Sequence, residues 1–133
     1  MPHLFAYGSL QLPSVFAAVT GQQKIGQPAQ IEGYARYRLS DLSYPGLVAE
    51  SGAITEGLLY LDLDAGVWAR LDRFEDVFYR RETLTVTALG VGEVFAEAYV
   101  MPTGDWRLID RKAWSLEVFR EQHLSDFMRR CLG

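Results

Sequence analysis

The sequence predicts one α+β domain, a small mixed, mainly antiparallel β-barrel with peripheral helices, spanning residues 1–133. Two observations point there. Segments with strand-like patterning outnumber helical ones and fall in the order β-α-β-β-β-α-β-β-α. So few helices between the strands leave little room for parallel crossovers, which favours an antiparallel sheet or a small barrel. The length sets the scale: 133 residues make one ordinary core, burying roughly two thirds of the unfolded surface.

Each element has its own signature. Leu4, Phe5, Ala6 and Tyr7 form an apolar, aromatic run ended by Gly8-Ser9, a buried strand entering a turn. Pro13 opens a helical segment and Gly21 is its stop. From Gln27 to Ser40, β-branched and aromatic residues interleave with small and basic ones, and Ser43-Tyr44-Pro45-Gly46 supplies a turn. Residues 47–50 and 54–63 read as two further strands, with Gly57 marking either a bulge or a close backbone approach. Asp64 caps a helix in which Val67, Leu71 and Phe74 follow i, i+4, i+7, and Trp68, Leu71, Asp72 and Glu75 form the neighbouring stripe. Residues 80–90 and 93–101 alternate with period two about a Gly90–Gly92 turn, a hairpin. Residues 115–132 form an amphipathic helix with Leu116, Phe119, His123, Phe127 and Met128 along one face.

Charge narrows the function. The net charge is −4, and the basic residues are scattered among acids, which argues against nucleic acid or an anionic membrane as partner and for a small molecule. The single cysteine, Cys131, excludes an internal disulfide framework and fits a reducing compartment. The first residues carry neither a basic leader nor a long apolar run, so a cytoplasmic protein is expected. His3 and His123 lie at opposite ends, and no His, Cys or carboxylate cluster has ligand spacing, so no metal is expected. The arginines and tyrosines of residues 33–39 have the composition of a base-stacking strand, but their alternation is met more simply by one polar and one packed face.

Two stretches bear on chemistry. Tyr7-Gly8-Ser9-Leu10, at a strand end, can present backbone N–H groups to a small anion, or be an ordinary tight turn. Glu75 is an acid in the last turn of a helix, where the macrodipole disfavours negative charge. It reads as a solvated surface acid, as a partner of Arg80 or Arg81, or as a carboxylate in a partly apolar pocket whose raised proton affinity suits a general base. Asp72, one turn earlier, competes for that role.

The Tyr7–Leu10 turn, Tyr44-Pro45-Gly46, the strand at 56–61, the 71–81 stretch with its Leu-Asp-x-x-Glu core, and Ala98-Tyr99-Val100 together resemble the gamma-glutamylcyclotransferase-like family, including its gamma-glutamylamine cyclotransferase branch. The resemblance covers residues 5 to about 100 in family order. It implies a small mixed β-barrel with peripheral helices, and an enzyme that releases 5-oxoproline and a free amine or amino acid from a gamma-glutamyl compound without a cofactor. It also implies Glu75 as the catalytic acid/base and Tyr7, Gly8, Ser9 and Leu10 as the substrate-holding turn. Tyr44, Tyr79 and Tyr99 are candidates for the pocket wall, or plain core. Asp76, Val77 and Phe78 depart from the Gly or short polar run of many relatives, which bears on the pocket rim. The helix from Ser115 lies beyond the match and is a candidate either to cover a barrel end or to make a partner contact; a homodimer is a separate expectation. The rival reading is a non-catalytic module of the same fold that binds a small carboxylate or a peptide terminus.

Overall fold

The structure is a computed structural model and describes residues 2–39, 42–75, 79–102 and 109–131, the side chains of Arg111, Arg130 and Cys131 excepted. Asp76, Val77, Phe78, Ser40 and Leu132, which figured in the sequence reading, lie outside the described residues. The architecture is the expected α+β barrel. Strand β1 (Leu4–Ala6) leads through a 3₁₀ turn (Ser9–Gln11) to helix α1 (Pro13–Thr20). There follow β2 (Gln27–Leu39), β3 (Pro45–Tyr60), α2 (Ala65–Phe74), β4 (Arg80–Ala88), β5 (Gly92–Val100) and β6 (Ile109–Ala113). The chain ends in a helical run α3, 116–131, whose middle turn (Phe119–His123) is π-helical.

The sheet runs β3-β1-β5-β4-β2-β6, and β2 also pairs with β3, so five strands close on themselves and β6 lies outside along β2. All pairings are antiparallel except β1 with β5. Closure follows from side-chain alternation. Phe5, Tyr7, Ile31, Leu47, Leu59, Val86, Ala88, Ala96, Ala98 and Val100 fill the barrel, and the run of alanines keeps it narrow. The opposite faces of the same strands, with Leu4, Ala6, Tyr60 and Tyr99, join Val15, Phe16, Val67, Trp68, Leu71, Phe119 and Phe127 in a second core beneath the helices. Phe16 stacks on Tyr60 there, with centroids 4.1 Å apart.

Local signals act as their chemistry dictates. Pro13 is the first residue of α1, and Gly21 ends it in the left-handed region at φ 74°. The Asp64 Oδ1 accepts the Val67 N–H at 2.9 Å and caps α2.

Three readings need correction, and that of Gly57 is decided between its two alternatives. Residues 47–50 and 54–63 are not two strands but parts of one, β3, which stops at Tyr60. The irregularity lies not at Gly57 but between Glu32↔Ile54 and Tyr34↔Ala49, where β3 carries four residues (50–53) against one on β2 (Gly33); Gly33 and Gly52 take up the bend at φ 82° and 84°. Gly57 instead marks a close approach, since a Cβ there would sit 2.3 Å from the Ala6 carbonyl oxygen. Strand β6 was not anticipated. His123 is exposed, unlike Phe119 and Phe127 one turn to either side of it.

Candidate active site

The eight residues singled out in the sequence come together. Tyr7, Gly8, Ser9, Leu10, Tyr44, Glu75, Tyr79 and Tyr99 all line one cavity of about 310 Å³, with Leu4, Phe5, Ala6, Pro45, Arg73, Phe74 and Phe127. Helix α2 delivers Glu75. Its final backbone bond, from the Glu75 N–H to the Leu71 carbonyl at 3.0 Å, is followed by a change to extended backbone at φ −70°, ψ 143°. The half-buried Glu75 is thus the C-cap residue, at the negative end of α2. Facing it, the 3₁₀ turn uses the Gly8 and Ser9 carbonyls to accept the Gln11 and Leu12 N–H groups at 3.1 and 3.0 Å. Those bonds leave the N–H groups of Gly8, Ser9 and Leu10 out. A Cβ on Gly8 would press to 3.2 Å against the Pro45 ring across the cavity.

The tyrosines do more than wall the cavity. The Tyr7 hydroxyl donates to the Tyr99 carbonyl, and the Tyr79 hydroxyl to the Pro45 carbonyl. The Tyr60 hydroxyl donates to the Leu10 carbonyl at 2.7 Å. Three phenols therefore tie the cavity's backbone segments to one another. Burial raises the Tyr7 phenol well above its ordinary value, and the Glu75 charge adds to the rise. Tyr99 is likewise raised, by burial first, then by its bond to Asp72, with Glu75 a smaller contributor. Both phenols therefore lie within the field of the Glu75 carboxylate and stay protonated beside it.

Asp72 takes a different place. It does not line the cavity. One oxygen accepts the Tyr99 hydroxyl at 2.7 Å and the other accepts from Arg81 Nη1 at 2.8 Å. Arg81 also pairs with Glu97 at 3.2 Å and lies 4.8 Å over the Trp68 ring. Arg81 is thus shared by Asp72 and Glu97.

Sequence reasoning missed four contributors. Arg73 lines the cavity but reads in the sequence as an ordinary helix-terminal base. Phe127 arrives from α3, packing edge-on to Tyr44 and Phe74. Tyr60 holds Leu10. Arg36, on β2, donates from Nη1 to the carbonyls of Tyr7 at 2.9 Å and Glu56 at 3.1 Å, and sits 5.4 Å over the Trp114 ring. Among the described residues, no group of three or more His, Cys, Asp or Glu is placed to hold a metal, and no helix is long and apolar enough to cross a membrane.

Comparison with known proteins agrees with this fold. The family model described as "Gamma-glutamyl cyclotransferase, AIG2-like" matches residues 4–116. AIG2-like protein C of Arabidopsis thaliana is 29% identical over 126 residues, covering 94% of this chain and 73% of that protein. The solution structure of an Arabidopsis thaliana protein superimposes with a TM-score of 0.75 at 28% identity, covering 96% of this chain and 78% of the other. An AIG2-like protein of Mus musculus has the same fold, with a TM-score of 0.67 at 21% identity, covering 86% and 88%.

Proposed function

The chain belongs to the AIG2-like gamma-glutamyl cyclotransferase family, and on that premise we propose that it cyclises a gamma-glutamyl compound to 5-oxoproline and a free amine or amino acid, with Glu75 as general acid/base. The observation that carries this reading is the position of Glu75 in the same cavity as the Tyr7–Leu10 turn. The half-buried carboxylate stands at the C-terminus of α2, in a cavity it shares with Phe74, Phe127 and the tyrosines.

The chemistry follows from the substrate. Its α-amino group is mostly ammonium at neutral pH and is not nucleophilic until it loses a proton. Glu75 accepts that proton. The freed amine attacks the γ-carbonyl carbon of the same molecule, forming the ring C–N bond while the carbonyl electrons move to oxygen. The N–H groups of Gly8, Ser9 or Leu10 are the available donors to that oxygen or to the substrate α-carboxylate. Glu75 returns the proton to the scissile nitrogen, the carbonyl reforms and the amine departs, while the ring nitrogen gives up its second proton, which the departing amine takes up as ammonium. Positioned proton transfer supplies about 100- to 10,000-fold. Holding the flexible glutamyl chain bent in a near-attack shape supplies more.

Purified protein incubated with a panel of gamma-glutamyl amino acids and gamma-glutamyl-ε-lysine is expected to release 5-oxoproline. Glu75→Gln, which preserves size but removes the base, is expected to lower kcat by at least about 100-fold while leaving the melting temperature near wild type. No 5-oxoproline from any substrate removes the cyclotransferase reading in favour of a binding module. Full turnover by Glu75→Gln removes Glu75 from the mechanism.

A further inference from the structure

Among the described residues, only two charged side chains line the cavity, Glu75 and Arg73. They stand two positions apart at the end of α2 but differ in exposure. Glu75 is half-buried, whereas Arg73 is exposed and so marks the mouth. The other nearby arginines are engaged: Arg81 by Asp72 and Glu97, Arg36 by the carbonyls of Tyr7 and Glu56. Arg73 has no ion pair with a described residue.

We propose that Arg73 is a specificity residue that binds a carboxylate on the leaving group, so that the protein favours gamma-glutamyl amino acids over gamma-glutamyl amines. The proposal rests on the cyclotransferase reading and gives it a substrate class. A gamma-glutamyl compound has two ends. Its glutamyl head carries the ammonium that Glu75 must reach and an α-carboxylate one carbon away, so the whole head lies deep, beside the Tyr7–Leu10 turn. The leaving group then extends to the mouth. An amino acid leaving group carries its carboxylate one carbon from the scissile nitrogen, and the planar guanidinium of Arg73 matches that carboxylate in charge and in bidentate geometry. Phe74, Phe127 and Tyr44 offer apolar surface for the amino acid side chain. An amine leaving group of the same shape reaches the same surfaces and leaves the cation without a counterion.

Gamma-glutamyl-alanine and gamma-glutamyl-ethylamine differ by that carboxylate alone and make the test. With wild-type protein, kcat/KM for 5-oxoproline release is expected to be about fivefold to tenfold higher for the alanine compound, the range spanned by a partly exposed charge-assisted pair. The preference is expected to shrink as ionic strength rises from 0.05 to 0.5 M, both values being assay settings on either side of the roughly 10 Å Debye length at 0.1 M. In Arg73→Gln the two substrates are expected to converge, through KM rather than kcat, with the ethylamine compound unchanged. If Arg73→Gln lowers both substrates equally, or wild type does not discriminate, the assignment to the leaving group is overturned and the cyclotransferase reading stands. If neither compound is turned over, that reading fails instead, and calorimetric binding of the two compounds to wild type and Arg73→Gln still decides. A carboxylate-dependent affinity that the substitution abolishes supports the Arg73 site, and equal affinities overturn it.

Discussion

Replacing Gly57 by alanine tests how the barrel holds the Tyr7–Leu10 turn. Gly57 lies in regular β3 pairing opposite Ala29, and its conformation is ordinary for a strand, so the new methyl group meets no backbone strain. What it meets is the neighbouring strand. The Cβ would lie 2.3 Å from the Ala6 carbonyl oxygen and 3.0 Å from two ring carbons of Phe5. A carbon and a carbonyl oxygen rest no closer than about 3.3 Å, so β1 must move away from β3 by roughly 1 Å. The two strands share three residue pairs, Leu4↔Tyr60, Phe5↔Leu59 and Ala6↔Leu58. A shift of that size breaks one or two of their hydrogen bonds, about 1 kcal/mol each. Forcing a methyl into a packed site adds about 1–3 kcal/mol. The expected loss is about 2–5 kcal/mol, a large part of the roughly 5–15 kcal/mol that stabilises a typical domain.

Gly52→Ala is the control, because it has the opposite defect. Its φ of 84° is unfavourable for alanine, but nothing lies within 4 Å of the new carbon, so the cost is the left-handed backbone alone, about 1–2 kcal/mol. Urea unfolding of the three proteins measures both differences. Gly57→Ala is expected to be the less stable variant by about 2 kcal/mol, the difference between the midpoints of the two ranges, and to lose the proposed 5-oxoproline release under conditions where it remains folded, because β1 runs directly into Tyr7. If Gly57→Ala is no less stable than Gly52→Ala, β1 does not sit against Gly57 as described and the placement of the turn is wrong.

Two further outcomes are expected. Arg36→Met leaves the carbonyls of Tyr7 and Glu56 without their charged donor, which is expected to cost about 1–3 kcal/mol in urea unfolding and to raise KM for the gamma-glutamyl substrate, whereas unchanged stability and KM would separate Arg36 from the turn. Absorbance titration of the phenols is expected to leave Tyr7, Tyr60 and Tyr99 protonated at pH 11, since burial lifts all three and takes Tyr60 to about 12. The sign is that of groups holding their proton more tightly when folded: their contribution to stability is intact below pH 10, the unfolded value, and declines as pH rises toward the folded values. Ionisation of all seven tyrosines near pH 10 in the folded protein would contradict that burial.

Much of the fold was legible because its parts obey local rules. Alternation placed the β4–β5 hairpin, Pro13 and Gly21 bounded α1, and Asp64 opened α2. Strand β6 escaped because Ile109-Asp110-Arg111-Lys112-Ala113 has no apolar alternation; it is held by backbone pairing to β2, through Tyr37↔Ala113 and Leu39↔Ile109. The continuity of β3 was hidden because the bend at Gly33 and Gly52 interrupts the pattern without ending the pairing. In the candidate site, four of the five stretches carrying the family resemblance send residues to one cavity, Arg73 among them beside Glu75 on α2, but what brings Phe127 there is tertiary. Phe127 follows Glu75 by about 50 positions, and no spacing rule links them.

Asp72 and Glu75 make the clearest case of one sequence motif dividing into two environments. They are three residues apart, so they leave α2 on nearly the same stripe and are equivalent candidates by pattern alone. The chain separates them by ending the helix between them. Asp72, still helical and exposed, accepts the Tyr99 hydroxyl and pairs with Arg81. Glu75, at the cap, turns into the aromatic cavity. Its charge reaches Tyr7 and Tyr99, but Arg81 is already shared by Asp72 and Glu97. One short motif thus places one carboxylate in an exposed hydrogen-bonded pair and the other in the cavity.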